Sequence, residues 1–356
     1  MRSPTEFVIE TTMRKAGLFQ AGLLGSFLIV DISKSALLSW SHSNKDAEAR
    51  PTDFNVIFTK DLLCTVVSFL WLLCQFRRTS ILALRENVRL LPLYLPIALL
   101  FLGSQNAAFA SLQLIDMGTF KLLVQACTPT TAVLSFFILH KRFNQQEILS
   151  IVAVFVFSLT FYLSKTAVGS DVVTTGVLYA LAFIVLSSIG GVVSEKVLKA
   201  KTQSLTLQYF YSKLASLVVS TIVYSVKVKE ETSFFQHFDY RTLIVIVQFG
   251  ISGFVVTAIT KLLSSTAKNI TQASSAAVAQ LLTVLYPHWM HKSVQAVAES
   301  NSNPVVVACA IGVVGSVVSF HLAPRSPEGS ASPTASVVHQ VELGQLDPPK
   351  SNSLRE

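Results

Sequence analysis

The chain has 356 residues, of which 51% are hydrophobic and only 13% are charged, and its mean hydropathy is +0.55. This composition excludes an ordinary soluble domain and favours an integral membrane protein. The formal charge is +8, but no basic stretch with interleaved aromatic residues lies outside the apolar runs, so we expect no nucleic-acid partner.

A short charged arm, residues 1–15, begins the chain and carries no cleavable signal pattern. Apolar runs of about 20 residues follow, each long enough to cross the hydrocarbon core of a bilayer. The final segment, residues 323–356, is rich in Ser and Pro and predicts a disordered cytosolic tail. We place ten transmembrane helices near residues 17–40, 55–74, 90–112, 118–140, 147–163, 172–193, 205–226, 242–264, 270–290 and 304–322.

Basic residues concentrate in alternate loops of this ten-helix arrangement. The loops after spans two, four and six carry an excess of Lys and Arg, and Lys268 lies between spans eight and nine. The intervening loops are neutral or acidic. Because cytosolic loops hold the excess of positive charge, this alternation predicts that both termini are cytosolic.

The second half of the chain resembles the first at an offset of 147 residues, which places Gly103 on Gly250 and Lys121 on Lys268. Spans one to five, in residues 16–165, then correspond to spans six to ten, in residues 166–322. Because five is odd, the halves cross the membrane in opposite senses. The sequence predicts an all-α integral membrane protein with a 5+5 inverted repeat, a design that transporters use.

The offset also aligns two polar stretches. Lys121, Gln125 and Thr128 correspond to Lys268, Gln272 and Ser275. A lysine inside the bilayer costs about 2.5–3.5 kcal/mol on insertion scales, so we expect this face to line an aqueous cavity. Packing of small polar residues between helices is the alternative explanation for the hydroxyl-bearing positions.

Other charges and one proline also lie within predicted spans. Asp31 and Lys34 are three residues apart and share a helix face, either lining or gating the pathway or forming a structural ion pair. Pro129 in span four removes a backbone hydrogen bond and predicts a hinge. Charges at Lys60, Asp61 and Lys213 each require a partner.

Three segments together resemble the nucleotide-sugar transporters of the drug/metabolite transporter superfamily. Residues 114–121, followed by Gln125 and residues 130–132, are similar to the family's fourth helix. Residues 195–199, Glu-Lys-Val-Leu-Lys, match the motif after its sixth helix. Gly253 followed by Lys261 and Lys268 resembles its eighth. The chain departs from the family at residues 262–265 and 208–209, and it has Cys127 where many members have a lysine.

The resemblance implies exchange of a cytosolic nucleotide sugar for a lumenal nucleoside monophosphate, in the Golgi or the endoplasmic reticulum membrane. Such cargo requires cations for phosphate and hydroxyl or amide groups for sugar. A homodimer is left open, and we expect neither cofactor nor metal. The predicted substrate-binding residues are Lys121, Gln125, Thr128, Thr131, Lys261, Lys268, Gln272 and Ser275, with Asp31, Lys34 and Pro129 in gating or the pathway.

Enzyme motifs are missing from the sequence: there is no zinc-binding histidine pair, nucleophile elbow or phosphate-cradling glycine loop. We therefore predict that the protein is not an enzyme. Two alternatives to nucleotide-sugar transport stay open. One is a carrier of another anionic metabolite such as a sugar phosphate, and the other is a membrane scaffold that transports nothing.

Overall fold

The structure is a computed structural model, and its described residues are helical, with turns and short connections and no strand among them. The predicted all-α class is confirmed. The N-terminal arm, Lys34, Lys121 and the tail from residue 324 onward lie outside the described residues. The structure describes residues 19–33, 37, 53–76, 84, 87–115, 120, 123–163, 173–200, 203–227, 239–285 and 304–323.

Ten α-helices of the described residues overlap the ten predicted spans one for one. A single 3₁₀ turn, Val88–Leu90, precedes the third helix. The helices are α1 (Phe19–Ser33), α2 (Asp53–Phe76), α3 (Leu91–Leu114), α4 (Cys127–Leu139), α5 (Gln145–Leu163), α6 (Val173–Ala200), α7 (Leu205–Lys227), α8 (Tyr240–Leu262), α9 (Ser265–Leu285) and α10 (Pro304–Leu322).

Four described segments, in α2, in α3 with the 3₁₀ turn before it, in α6 and in α8, are long and apolar enough to cross a membrane. The segments are Asn55–Cys74, Val88–Leu112, Thr175–Ala200 and Tyr240–Leu262. Shorter apolar segments lie in α1, α4, α5 and α10. By length and composition, the chain is therefore a multi-pass membrane protein.

The outer surface of α5 shows why these helices require lipid. Ile148, Leu149, Val152 and Val156 are 50, 69, 50 and 49% exposed, although they are strongly apolar. Apolar side chains on an outward helix face are unfavourable in water but match the hydrocarbon core of a bilayer. The polar side chains instead point inward, most of all on α7 and α9, where Gln208, Ser220, Asn269, Thr271, Ser274 and Ser275 are buried.

Local sequence sets the helix starts. The Asp239 carboxylate accepts hydrogen bonds from the N–H and hydroxyl of Thr242 at 2.9 and 2.8 Å, which caps α8. The Glu147 carboxylate reaches back to the N–H of Asn144 at 3.0 Å at the start of α5. Such caps satisfy N–H groups that the first helical turn leaves free.

Glycines allow several helix pairs to approach closely. A Cβ added at Gly312 of α10 would lie 2.9 Å from the Phe157 ring of α5, and one at Gly176 of α6 would lie 2.5 Å from Ile115 Cγ2. Gly250 of α8 faces Cys64 of α2 in the same way, with 3.1 Å between the added Cβ and Sγ. Small residues at such contacts increase van der Waals packing between membrane helices.

The helices contact one another in a consistent pattern. Three contacts join counterparts at an offset of five helices: α2 with α7, α4 with α9, and α5 with α10. Two further contacts are equivalent to each other. α3 contacts α7, and their counterparts five helices away, α8 and α2, also contact each other. One apolar core lies mainly among α2, α3 and α7, and a second among α5, α9 and α10.

Two predicted loop placements are wrong. α9 begins at Ser265, so Lys268 lies in its first turn, with its N–H bonded to the Ser264 carbonyl at 3.1 Å. α6 extends to Ala200, so Glu195 and Lys199 are helical and not part of a loop. Both helices extend beyond their apolar runs, and Glu195 at the end of α6 accepts a hydrogen bond from Ser265 at the start of α9.

Candidate functional site

Predicted span four is interrupted before its proline. A turn at Gln125 and Ala126 separates the helical residues 123–124 from α4. Pro129 lies in the first turn of α4, where a free backbone N–H would have no intrahelical partner in any case. The expected loss of a mid-helix hydrogen bond at Pro129 is therefore wrong, and the interruption lies at the turn instead.

A buried polar contact joins α4 to α9. Thr128 and Thr131 are 1% and 0% exposed. The Asn269 amide of α9 donates to Thr131 Oγ1 at 2.7 Å and contacts the Cys127 carbonyl at 3.5 Å. Asn269 was not among the predicted binding residues, although it lies directly after Lys268 in a stretch already identified as polar.

A second contact joins α9 to α1. The Ser275 hydroxyl donates to Asp31 Oδ2, across 244 positions of sequence. A predicted pathway residue and a predicted binding residue are therefore in direct contact. Lys268 and Gln272 lie on the same helix and are partly buried, as is Gln125 near α4.

Lys261 is directed elsewhere. Its ammonium donates to the carbonyl of Gln203, in the connection between α6 and α7, at 2.6 Å. The Gln203 amide in turn donates to Asn87 Oδ1 at 3.1 Å, beside the start of α3. Lys261 thus links the end of α8 to the connection between α6 and α7.

Glu195 and Lys199 form what we call the α6 clasp. The Glu195 carboxylate is 2% exposed and pairs with Lys199 at 2.7 Å. The Lys199 ammonium donates to the carbonyl of Leu263 at 2.7 Å, and Glu195 accepts from the N–H of Ser265. Because a helix has a positive N-terminus and a negative C-terminus, the clasp complements both helix ends of the α8–α9 connection.

Three intramembrane charges lie close together at a site that the sequence did not predict. Lys60 and Asp61 of α2 and Lys213 of α7 form what we call the cationic centre. The Asp61 Oδ1 atom lies 3.4 Å from the Lys60 ammonium and 3.8 Å from that of Lys213. The sequence indicated only that each of these charges lies in an apolar run and requires a partner.

Polar and aromatic groups surround the cationic centre. Gln105 of α3 accepts from Lys60 at 3.5 Å, and Ser220 of α7 donates to Asp61 Oδ2 at 3.3 Å. The Lys213 ammonium lies 5.7 Å from the centroid of the Tyr209 ring, a cation–π distance. Tyr209 is 5% exposed, and its hydroxyl donates to the Gly250 carbonyl at 3.2 Å.

The chemistry of these groups is that of charge and hydrogen bonding. Within the part of the chain that the structure describes, no three His, Cys, Asp or Glu side chains are grouped as metal ligands would be. The described interior instead offers ammonium, amide, hydroxyl and aromatic groups. These can bind a polar organic anion without a metal.

Comparisons with known proteins identify the fold and the family of the chain. A solved crystal structure superposes with a TM-score of 0.58 at 14% identity, over 83% of this chain and 95% of that chain, so the two share a fold. No curated protein sequence matches the chain. The family model for nucleotide-sugar transporters matches residues 24–309, and the chain therefore belongs to the nucleotide-sugar transporter family.

Proposed function

We propose that this membrane transporter exchanges a cytosolic nucleotide sugar for a lumenal nucleoside monophosphate by alternating access. The observation that carries the proposal is the buried polar surface shared by α4 and α9, where Asn269 bonds to Thr131. These helices correspond to each other in the two halves of the chain. A polar site between equivalent helices can open to either side when one half moves against the other.

The proposed topology has ten membrane-crossing helices in a 5+5 inverted repeat, with both termini cytosolic. Contacts between α2 and α7, α4 and α9, and α5 and α10 support it, because two equivalent halves related by a twofold axis bring their counterpart helices together. The alternation of basic loops supports the orientation.

The proposed compartment is the Golgi membrane, with the endoplasmic reticulum as the alternative. Nucleotide sugars are made outside these compartments and consumed inside them, so an exchanger of this class fits either one. A homodimer is compatible with the apolar outer faces. A carrier of sugar phosphates and a scaffold that transports nothing are the competing functions.

Uptake into proteoliposomes tests the proposal. Vesicles containing purified protein are preloaded with one nucleoside monophosphate at a time and offered a panel of labelled nucleotide sugars and sugar phosphates. We expect uptake of at least one nucleotide sugar that depends on the preloaded monophosphate. Uptake of sugar phosphates alone supports the competing carrier, and folded protein that transports nothing supports the scaffold.

Two lysine variants test the predicted binding residues in the same vesicles. Lys261→Ala and Lys121→Ala should reduce transport of phosphate-bearing cargo more than they reduce folding. Lys196→Ala, at an exposed position of α6, is the matched control and should transport normally. If both test variants also transport normally, these two lysines do not bind the substrate.

A further inference from the structure

We propose that the cationic centre, Lys60, Asp61 and Lys213, binds the phosphate of the cargo. The inference rests on the proposed function for the identity of the cargo, but it requires only that the ligand carries phosphate. The site lies among α2, α3, α7 and α8. Its two lysines are not among Lys121, Lys261 and Lys268, the three that the sequence assigns to phosphate.

Charge balance is the first argument. Within the described residues, Asp61 is the single acid within ion-pair distance of either ammonium. Two ammonium groups and one carboxylate leave an excess of one positive charge. The side chains of Lys60, Asp61 and Lys213 are only 12, 6 and 17% exposed. A buried, uncompensated cation is costly, and an anionic ligand would remove that cost.

Depth in the helices is the second argument. Lys60 lies seven residues from the start of α2, and Lys213 lies eight residues from the start of α7. At 1.5 Å per residue, each lysine is about 10–12 Å inside its helix. This is too far for the ammonium groups to belong to a helix end, and a charge held inside a predicted membrane span commonly marks a ligand site or pathway.

The ion-pair geometry is the third argument. The distances of 3.4 and 3.8 Å are longer than the ~2.7–2.9 Å of a well-formed charge-assisted hydrogen bond. The Glu195–Lys199 pair in the same protein reaches 2.7 Å. Asp61 therefore holds the two ammonium groups near each other without saturating either, so both keep donors for a phosphate oxygen.

The neighbouring α8 places a glycine, Gly253, beside the centre. A Cβ added at Gly253 would lie 3.5 Å from the Lys213 ammonium and 3.5 Å from the Tyr209 hydroxyl. Glycine thus presents no side chain toward these donors. Tyr209 packs edge-on against Phe254 with 5.3 Å between ring centroids, which forms an aromatic wall next to the cation.

Ligand binding to purified protein tests the inference. The probes are nucleoside monophosphates, the matching nucleosides and inorganic pyrophosphate, and the readout is ligand-induced thermal stabilisation in detergent. We expect Lys60→Met and Lys213→Met to weaken monophosphate binding about 10- to 100-fold, because each loses charge-assisted hydrogen bonds. Binding of nucleosides should change little.

Two further variants separate charge from structure. Lys213→Arg keeps the positive charge and should retain phosphate binding within a few-fold of the original protein. Lys196→Met removes an exposed lysine of α6 and should change nothing. A merely structural ion pair would instead lower the melting temperature in Lys60→Met and Lys213→Met while leaving ligand affinity unchanged, and that result overturns the inference.

Labelling of the unmutated protein covers the case in which the methionine variants do not fold. A small lysine-acylating reagent is applied with and without monophosphate or pyrophosphate, and modification is quantified by mass spectrometry. We expect the ligand to protect Lys60 and Lys213 but not Lys196. Unchanged labelling of Lys60 and Lys213 at saturating ligand would overturn the site.

The outcomes distinguish this inference from the proposed function. Nucleotide-sugar exchange that is unaffected by loss of either lysine supports the transport proposal and rejects the phosphate site. Lysine-dependent binding of pyrophosphate without any nucleotide-sugar uptake rejects the transport proposal and supports the phosphate site. Failure of every phosphate-bearing probe to bind folded protein rejects the phosphate site.

Discussion

The Glu195 carboxylate of α6 accepts two hydrogen bonds from Ser265, the first residue of α9. The backbone N–H donates at 2.7 Å and the hydroxyl at 2.6 Å. An anion at this position satisfies a free N–H of the helix start and complements the helix dipole. The motif at residues 195–199, which the sequence related to a family, therefore has a structural role in joining α6 to the α8–α9 connection.

Glu195→Ala should destabilise the protein. The change removes both bonds to Ser265 and leaves the Lys199 ammonium without its carboxylate, which should cost about 2–3 kcal/mol. Thermal unfolding in detergent measures the loss. Lys196→Ala, one residue along the same helix and exposed, is the control. Equal melting temperatures for the two variants would show that the clasp contributes nothing to stability.

Gly312→Ala should weaken the contact between α5 and α10. The new Cβ would lie 2.9 Å from the Phe157 ring, and such overpacking costs about 1–3 kcal/mol. Gly315→Ala is the matched control, because no described atom lies within 4 Å of a Cβ added there. Combining Gly312→Ala with Phe157→Leu should recover stability. A melting temperature unchanged in Gly312→Ala contradicts the close approach.

Asp31→Asn should slow exchange on the order of tenfold while the protein stays folded. The change weakens a hydrogen bond from Ser275 to a charged acceptor that links α1 to α9. Initial rates in proteoliposomes, compared with ligand-induced stabilisation, separate a pathway role from a binding role. Ser26→Ala, at an exposed position of α1, is the control and should exchange normally. A stability loss with unchanged exchange would assign Asp31 to structure alone.

The sequence Asn269-Ile270-Thr271 should carry no glycan, although it matches the acceptor pattern. Asn269 and Thr271 are 9% and 3% exposed within α9, and the predicted orientation puts this end of the helix on the cytosolic side. Treatment with an endoglycosidase should leave the electrophoretic mobility unchanged, and a glycoprotein in the same membranes confirms that the enzyme is active. Detection of a glycan at Asn269 would overturn the predicted orientation.

Sequence alone determined the class, the approximate helix positions and the family of this protein. Long apolar runs and alternating loop charge are local properties, and in lipid a helix satisfies its backbone within its own segment. The positions of α2 and α10, for example, follow from their apolar runs within a few residues. Polar helix ends were less predictable, because apolarity does not mark where α9 begins.

Only the tertiary structure decided which charges meet. The high cost of a charge in lipid indicates that Lys213 has a partner, but it does not identify Asp61, because that partner lies on another helix. The pairing of Asp31 with Ser275 spans 244 positions and depends on how α1 packs against α9. For the same reason Lys261, which the sequence assigned to phosphate, donates to the Gln203 carbonyl, whereas Lys60 and Lys213 converge on Asp61.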